Sequence, residues 1–177
     1  MMDKKKRIRF LYNETAPHYD KRYTDIQNEK YRAALEKLKV RGKILDIGGG
    51  TGLFSQFISE TVDVLDLSIE LLKVGMEKNK GGNWIAGDGE SLPFRDGAFD
   101  TVVSFSAVQN FPDRKKGVLE IKRVLLQHNG RFALTVLAKT MTKEELHSIL
   151  SEAKLDFEEL DISLEDIGVV GQTSGGY

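Results

Sequence analysis

The run Ile44-Leu-Asp-Ile-Gly-Gly-Gly-Thr-Gly52 sets a carboxylate, Asp46, two residues before glycines 48, 49, 50 and 52. Glycine takes positive φ without strain and lets a ligand approach backbone that a Cβ would shield. A helix opening after such a turn points free N–H groups and a positive dipole end at its ligand, favouring an anion. The spacing of Gly48, Gly50 and Gly52 is G-x-G-x-G, with Leu53 where a dinucleotide loop has its third glycine. An acid at Asp46 also suits a pyrophosphate poorly, so a nicotinamide oxidoreductase is the weaker reading. A zwitterionic amino-acid group fits better. Asp66 ends the next apolar run, and Asp88 stands in Gly87-Asp-Gly-Glu-Ser-Leu-Pro-Phe94. A carboxylate offers two acceptors to a vicinal diol.

The elements that must position these acids alternate. Short apolar runs over 43–47, 62–67, 83–86, 99–105, 131–138, 155–162 and 167–172 read as strands. Amphipathic segments over 53–60, 68–79, 113–127 and 142–153 read as helices. Ser68, Asp113 and Thr142 stand as N-caps, Glu145 as the capping-box partner of Thr142, and His128-Asn129-Gly130 as a C-cap. The pattern predicts an α/β, Rossmann-like sheet of seven strands, mostly parallel, with helices on both faces and order 3-2-1-4-5-7-6. The last two strands are joined too closely for both to be parallel. Residues 1–40 are expected to form a basic helical appendage, with a helix near Asn28–Leu38, on a domain over 41–177.

The 177 residues suit one structural domain, and zero Cys excludes disulfides, Cys-ligated zinc, iron–sulfur clusters and cysteine nucleophiles. No metal site is expected. With no membrane span or signal peptide in the sequence, a cytoplasmic home is the simplest expectation. The net charge of −1 hides a split: residues 1–43 carry 13 Lys/Arg against 6 Asp/Glu, and residues 44–177 carry 13 against 21.

With these motifs together, the chain resembles the class I S-adenosylmethionine-dependent methyltransferases, in the group of the ubiquinone/menaquinone C-methyltransferases. The resemblance runs from about Tyr12 to Ala138. It implies that Asp46 and Gly48, Gly49, Gly50 and Gly52 hold the methionine end of S-adenosylmethionine. By the same resemblance Asp66, next to Leu67, takes the ribose hydroxyls, and Asp88 takes the adenine amino group beside the Gly89 amide. The fourth strand's C-terminal end, Ser104–Ala107, would border the cofactor and the methyl group. Gly49 replaces a common Cys or Ala at a position expected to tolerate small residues. The product would be S-adenosylhomocysteine.

No catalytic base is identified. Gln109 and Asn110 stand where the group often has histidines; they can orient an acceptor but cannot act as bases near neutral pH. Tyr12, Tyr19 and His18 lie where the group folds its N-terminal segment over the cofactor. No lid segment follows the fifth strand, which predicts an open mouth beside the basic front and favours RNA or protein as methyl acceptor. A small metabolite, or a non-catalytic role as a cofactor-binding subunit, are the alternatives. The third strand would be a sheet edge carrying Trp84, where compact relatives pair with a small activating subunit.

Overall fold

The computed structural model describes residues 3–79, 81–162 and 165–173. Helix α1 (Lys4–Thr15) passes through a 3-10 turn (Ala16–His18) into the long α2 (Tyr19–Lys37). Then follow β1 (Ile44–Ile47), α3 (Leu53–Phe57), β2 (Val62–Asp66), α4 (Ile69–Lys78), β3 (Asn83–Ala86) and β4 (Thr101–Phe105). A 3-10 turn (Val108–Asn110), α5 (Arg114–Val124), β5 (Arg131–Leu137), α6 (Lys143–Glu152), β6 (Asp156–Glu159) and β7 (Asp166–Gln172) complete the described chain.

Among the described residues the strands form one sheet in the order β3-β2-β1-β4-β5-β7-β6, as the sequence predicts. Strand β7 runs antiparallel to both its neighbours, and the remaining pairings are parallel. The reason is length: the few residues from Glu159 to Asp166 cannot make the crossover that a parallel return needs.

Successive strand residues face opposite layers. Leu45, Ile47, Val102, Phe132 and Leu134 pack with Val118, Ile121 and Val124 of α5 and Leu146 and Leu150 of α6. Ile44, Val64, Val103, Phe105 and Ala133 pack with Tyr31 and Ala34 of α2 and Phe54 of α3.

The N-caps form as expected: Ser68 Oγ accepts from the Leu71 amide, Asp113 Oδ1 from Lys116 and Thr142 Oγ1 from Glu145. Each such cap is worth about 1 kcal/mol. Several boundaries differ from expectation. Glu145 does not complete a capping box; its carboxylate pairs with Arg114 at 2.6 Å. Helix α5 stops at Val124, because Leu125 turns extended and bridges to Phe99. The expected cap at His128-Asn129-Gly130 is instead a turn into β5, with Asn129 at φ 60°. Helix α3 is five residues, not eight, and α2 begins nine residues earlier than the apolar pattern suggested. The basic segment that precedes it is helical from Lys4.

Candidate active site

Strands β1 and β4 are neighbours whose onward connections leave to opposite sides, the place where open α/β sheets hold ligands. A cavity of about 70 Å³ lies there, lined by Gly48, Asp66, Leu67, Asp88, Gly89, and Tyr12 with the rest of one face of α1. A second cleft of about 1070 Å³ opens between α2, the Val108–Asn110 turn and the approach to β7. Tyr12, Tyr19, Ser106 and Asn110 line both. They form the wall through which one space meets the other.

Backbone amides fix the carboxylate of Asp66. Oδ2 accepts from Gly50 at 2.9 Å and Oδ1 from Ser68 at 2.7 Å. Burial pushes its carboxyl up to about 6 even though these amides pull the other way. Asp46 lies wholly beneath the loop. Burial, with the neighbouring Asp66 charge added, pushes it up to about 8.

The glycine loop spends its donors on β2 and on itself. The Gly48 amide donates to the Leu65 carbonyl, Gly50 to Asp66 and Gly52 to the Gly49 carbonyl. Helix α3, at five residues, supplies a weaker dipole than the longer helix the sequence suggested. Gly48 needs its missing Cβ for space as well as for its φ of 73°, since a Cβ would lie 2.3 Å from that of Ala107. Gly49 is not the roomy position expected from sequence. A Cβ there would stand 2.6 Å from Asp46 Oδ2 and 2.8 Å from Val64 Cγ1.

Asp88 is held from two sides. Its Oδ1 accepts from the Glu90 amide, and its Oδ2 lies 2.6 Å from Lys5 Nζ. Burial alone would raise its carboxyl, but Lys5 and the amide outweigh burial and hold it below the ordinary carboxylate range. Lys5 Nζ also lies 2.6 Å from Glu90 Oε2. Three further links tie α1 over the cavity. Lys4 donates to the Phe111 carbonyl, Ser68 to Asn13 Oδ1 and Asn110 to the Tyr12 hydroxyl.

The sequence candidates therefore divide. Gly48, Asp66, Leu67, Asp88 and Gly89 line the first cavity; Asp46, Gly49, Gly50 and Gly52 shape the loop beneath it. Ser104 is fully buried and donates to the Ile47 carbonyl at 2.8 Å, joining β4 to β1, and Ser106 takes the place expected for it at the cavity wall. Tyr12, Tyr19 and Asn110 line both spaces and Gln109 lines the second. His18 is exposed on its 3-10 turn and lines neither. Trp84 is not a surface marker. It wedges against Gly52 and Gly75, donating its Nε1 to the Asn79 carbonyl.

Sequence reasoning missed Lys5, Ile8, Gln27 and Lys30. Their signal was present as helical spacing: Lys5, Ile8, Arg9 and Tyr12 share one face, as do Gln27, Lys30, Tyr31 and Ala34. A lysine and a glutamine on an otherwise apolar stripe mark a site.

Known proteins place this geometry. A family model described as "Methyltransferase domain" matches residues 45–134. Demethylmenaquinone methyltransferase of Thermotoga maritima is 32% identical over 114 residues, 62% of this chain and 49% of the relative. The ubiquinone/menaquinone biosynthesis C-methyltransferase UbiE of Pectobacterium atrosepticum is 33% identical over 114 residues, 58% of this chain and 45% of the relative. The chain thus spans about half the length of the curated relatives it matches. Among solved structures, magnesium protoporphyrin IX methyltransferase of Synechocystis with bound SAM aligns with TM-score 0.79 at 14% identity, covering 98% of this chain and 99% of that one. A chain from the complex between the Haloferax volcanii Trm112 methyltransferase activator and a methyltransferase aligns with TM-score 0.78 at 20% identity, covering 93% and 98%. At these identities the structural likeness shows the fold.

Proposed function

The chain belongs to the methyltransferase-domain family, and from that premise we propose that it transfers a methyl group from S-adenosylmethionine to a small-molecule acceptor. The observation that carries this is the meeting of two spaces at Tyr12, Tyr19, Ser106 and Asn110. Bound at the first space, which at about 70 Å³ must widen to admit it, S-adenosylmethionine would supply a methyl group activated by its sulfonium. The residues present fit it: Asp66, oriented by the Gly50 and Ser68 amides, keeps lone pairs for a ribose diol, and Asp88 with the Gly89 amide suits the adenine edge. Asp46 and the four glycines hold the loop that shapes the methionine end. Tyr12 and Tyr19 exclude water from the passage.

Two observations favour a small acceptor over RNA or protein. Helices α1 and α2 stand over the mouth that lacks a lid after β5, narrowing the open site that the sequence suggested. Part of the basic front is also engaged: Lys5 pairs with Asp88 and Glu90, Lys30 with Asp166, Lys37 with Glu158 and Lys43 with Asp63. The cleft lining holds five carboxylates and four cations, a poor steering field for a polyanion. The test is incubation of the protein and methyl-labelled S-adenosylmethionine with small-metabolite, RNA and protein fractions of the host. Label entering small metabolites is expected. Label confined to RNA or protein overturns the reading, and label in none, with cofactor bound, supports a non-catalytic subunit.

A partner on the β3 edge is a second, independent reading. Among the described residues strand β3 pairs with β2 alone, and the activator complex named above supplies the comparison. Deuterium uptake at residues 83–86, with and without the host's purified Trm112-type protein, tests it; unchanged uptake counts against it.

A further inference from the structure

Three buried oxygens without a hydrogen-bond partner belong to residues lining the second cleft: Gln27 Oε1, Gln109 Oε1 and Asp166 Oδ1. Gln27 is 6% exposed, Gln109 3% and the Asp166 side chain 9%. A buried polar atom left unpaired costs more than a made hydrogen bond returns, so a cluster of them is a liability unless something supplies donors.

The surroundings of two of them, Gln109 and Asp166, fix the free atom as an acceptor. Gln109 donates its Nε2 to the Ser106 carbonyl at 2.7 Å, which leaves Oε1 as its free atom. Asp166 gives Oδ2 to Lys30 at 2.9 Å and leaves Oδ1 free. Lys30 is 5% exposed at its side chain and also donates to Ser106 Oγ at 2.7 Å. Ser106 holds a left-handed backbone, φ 56°, at the junction of the two spaces. The Lys30–Asp166 pair cancels its own charge locally, so the cleft wall here carries acceptor oxygens just beneath its surface, without a strong field.

We propose that Gln27, Gln109 and Asp166 hold the methyl acceptor through the acceptor's own N–H or O–H groups. It is thus a small amine or hydroxyl compound, and an analogue carrying only ethers, ketones or tertiary amines is rejected. Lys30 is a positioning residue, setting Ser106 and Asp166 beside the passage. This rests on the small-acceptor reading above. A site built to receive donors discriminates strongly against molecules that lack them, because its own oxygens then stay unpaired.

The test uses protein loaded with S-adenosylhomocysteine and paired aromatic fragments, chosen because Tyr12, Tyr19 and Tyr23 line the cleft. Aniline and catechol are compared with N,N-dimethylaniline and 1,2-dimethoxybenzene, by ligand-observed NMR for affinity and by crystal soaking for location. The donor fragments are expected to bind in the cleft about tenfold or more tightly. Gln27→Leu and Gln109→Leu are expected to erase that preference, with Gln27→Leu keeping or raising Tm because a buried unpaired oxygen is removed. Equal binding of both fragment kinds in the cleft overturns the donor rule while leaving the small-acceptor reading in place. No fragment in the cleft overturns both, and donor preference unchanged in both variants overturns the assignment of these residues.

Discussion

Lys5 Nζ stands 2.6 Å from Asp88 Oδ2, so the first helix is pinned to the carboxylate proposed to receive the adenine edge. The same ammonium reaches Glu90, whose side chain is 4% exposed. The basic front therefore acts on the first cavity, where the sequence had suggested an effect on acceptor binding alone. Lys5 and a bound adenine group would draw on one carboxylate.

Removing that competitor is expected to tighten cofactor binding. For Lys5→Gln, calorimetry with S-adenosylhomocysteine should show up to about fivefold higher affinity, since a partly exposed pair is worth about 0–1 kcal/mol. Wild-type affinity should likewise rise with moderate salt, which screens the pair. Weaker binding by the variant refutes competition and would make Lys5 part of the cofactor site.

Asp66 sets a pH limit on the same measurement. Its carboxyl is pushed up to about 6 and is coupled to Asp46, so the pair loses its charge as pH falls through that range. A protonated carboxyl accepts fewer hydrogen bonds, and affinity for S-adenosylmethionine should decline as pH drops from 7 to 5. Asp66→Ala should weaken binding by about 1–3 kcal/mol at pH 7.5 and flatten that profile. A variant with wild-type affinity removes Asp66 from the site.

Asp46 should cost stability where it is charged. Its folded pKa, about 8, lies above its unfolded value, so the folded state binds the extra proton. The associated stability is fully present below about pH 4 and is lost as pH rises through 8. Asp46→Asn should therefore melt higher at pH 8 by roughly 4–8 °C, about 2 kcal/mol, with little difference at pH 4. A lower Tm for the variant at pH 8 would mean that the charge is needed for the fold.

The strand order was legible because β1, β2 and β4 are short apolar-rich runs buried along their whole length, the mark of a parallel sheet covered on both faces. Asp66 was legible because it closes β2, and Asp88 because it opens the loop two residues past β3. Ser104 was misplaced by the same logic. Its hydroxyl is spent inside the sheet on the Ile47 carbonyl, while Ser106, one residue past the end of β4 and in a left-handed backbone, reaches the cavity wall. The α1 contribution was obscured by charge: Lys4-Lys-Lys-Arg-Ile-Arg9 looks like a solvated leader until its helical face is read beside Tyr12. The early start of α2 was hidden similarly, since Asp20 works as a tether, accepting from Thr51 and pairing with Lys78 across to the loop and α4.

The buried Lys30–Asp166 pair joins α2 to β7, and its energetics follow from burial. Both side chains are under a tenth exposed, so each ion has given up hydration that only its partner and Ser106 replace. Truncating one partner strands the other charge. Lys30→Met should destabilise the protein by about 3–5 kcal/mol in urea unfolding, whereas Lys30→Met with Asp166→Leu should recover most of that loss. The double variant should nonetheless bind no aromatic donor fragment, because the acceptor oxygen and the group that positions Ser106 are both gone. Recovery of stability together with fragment binding would show that the pair is only a strut between helix and strand.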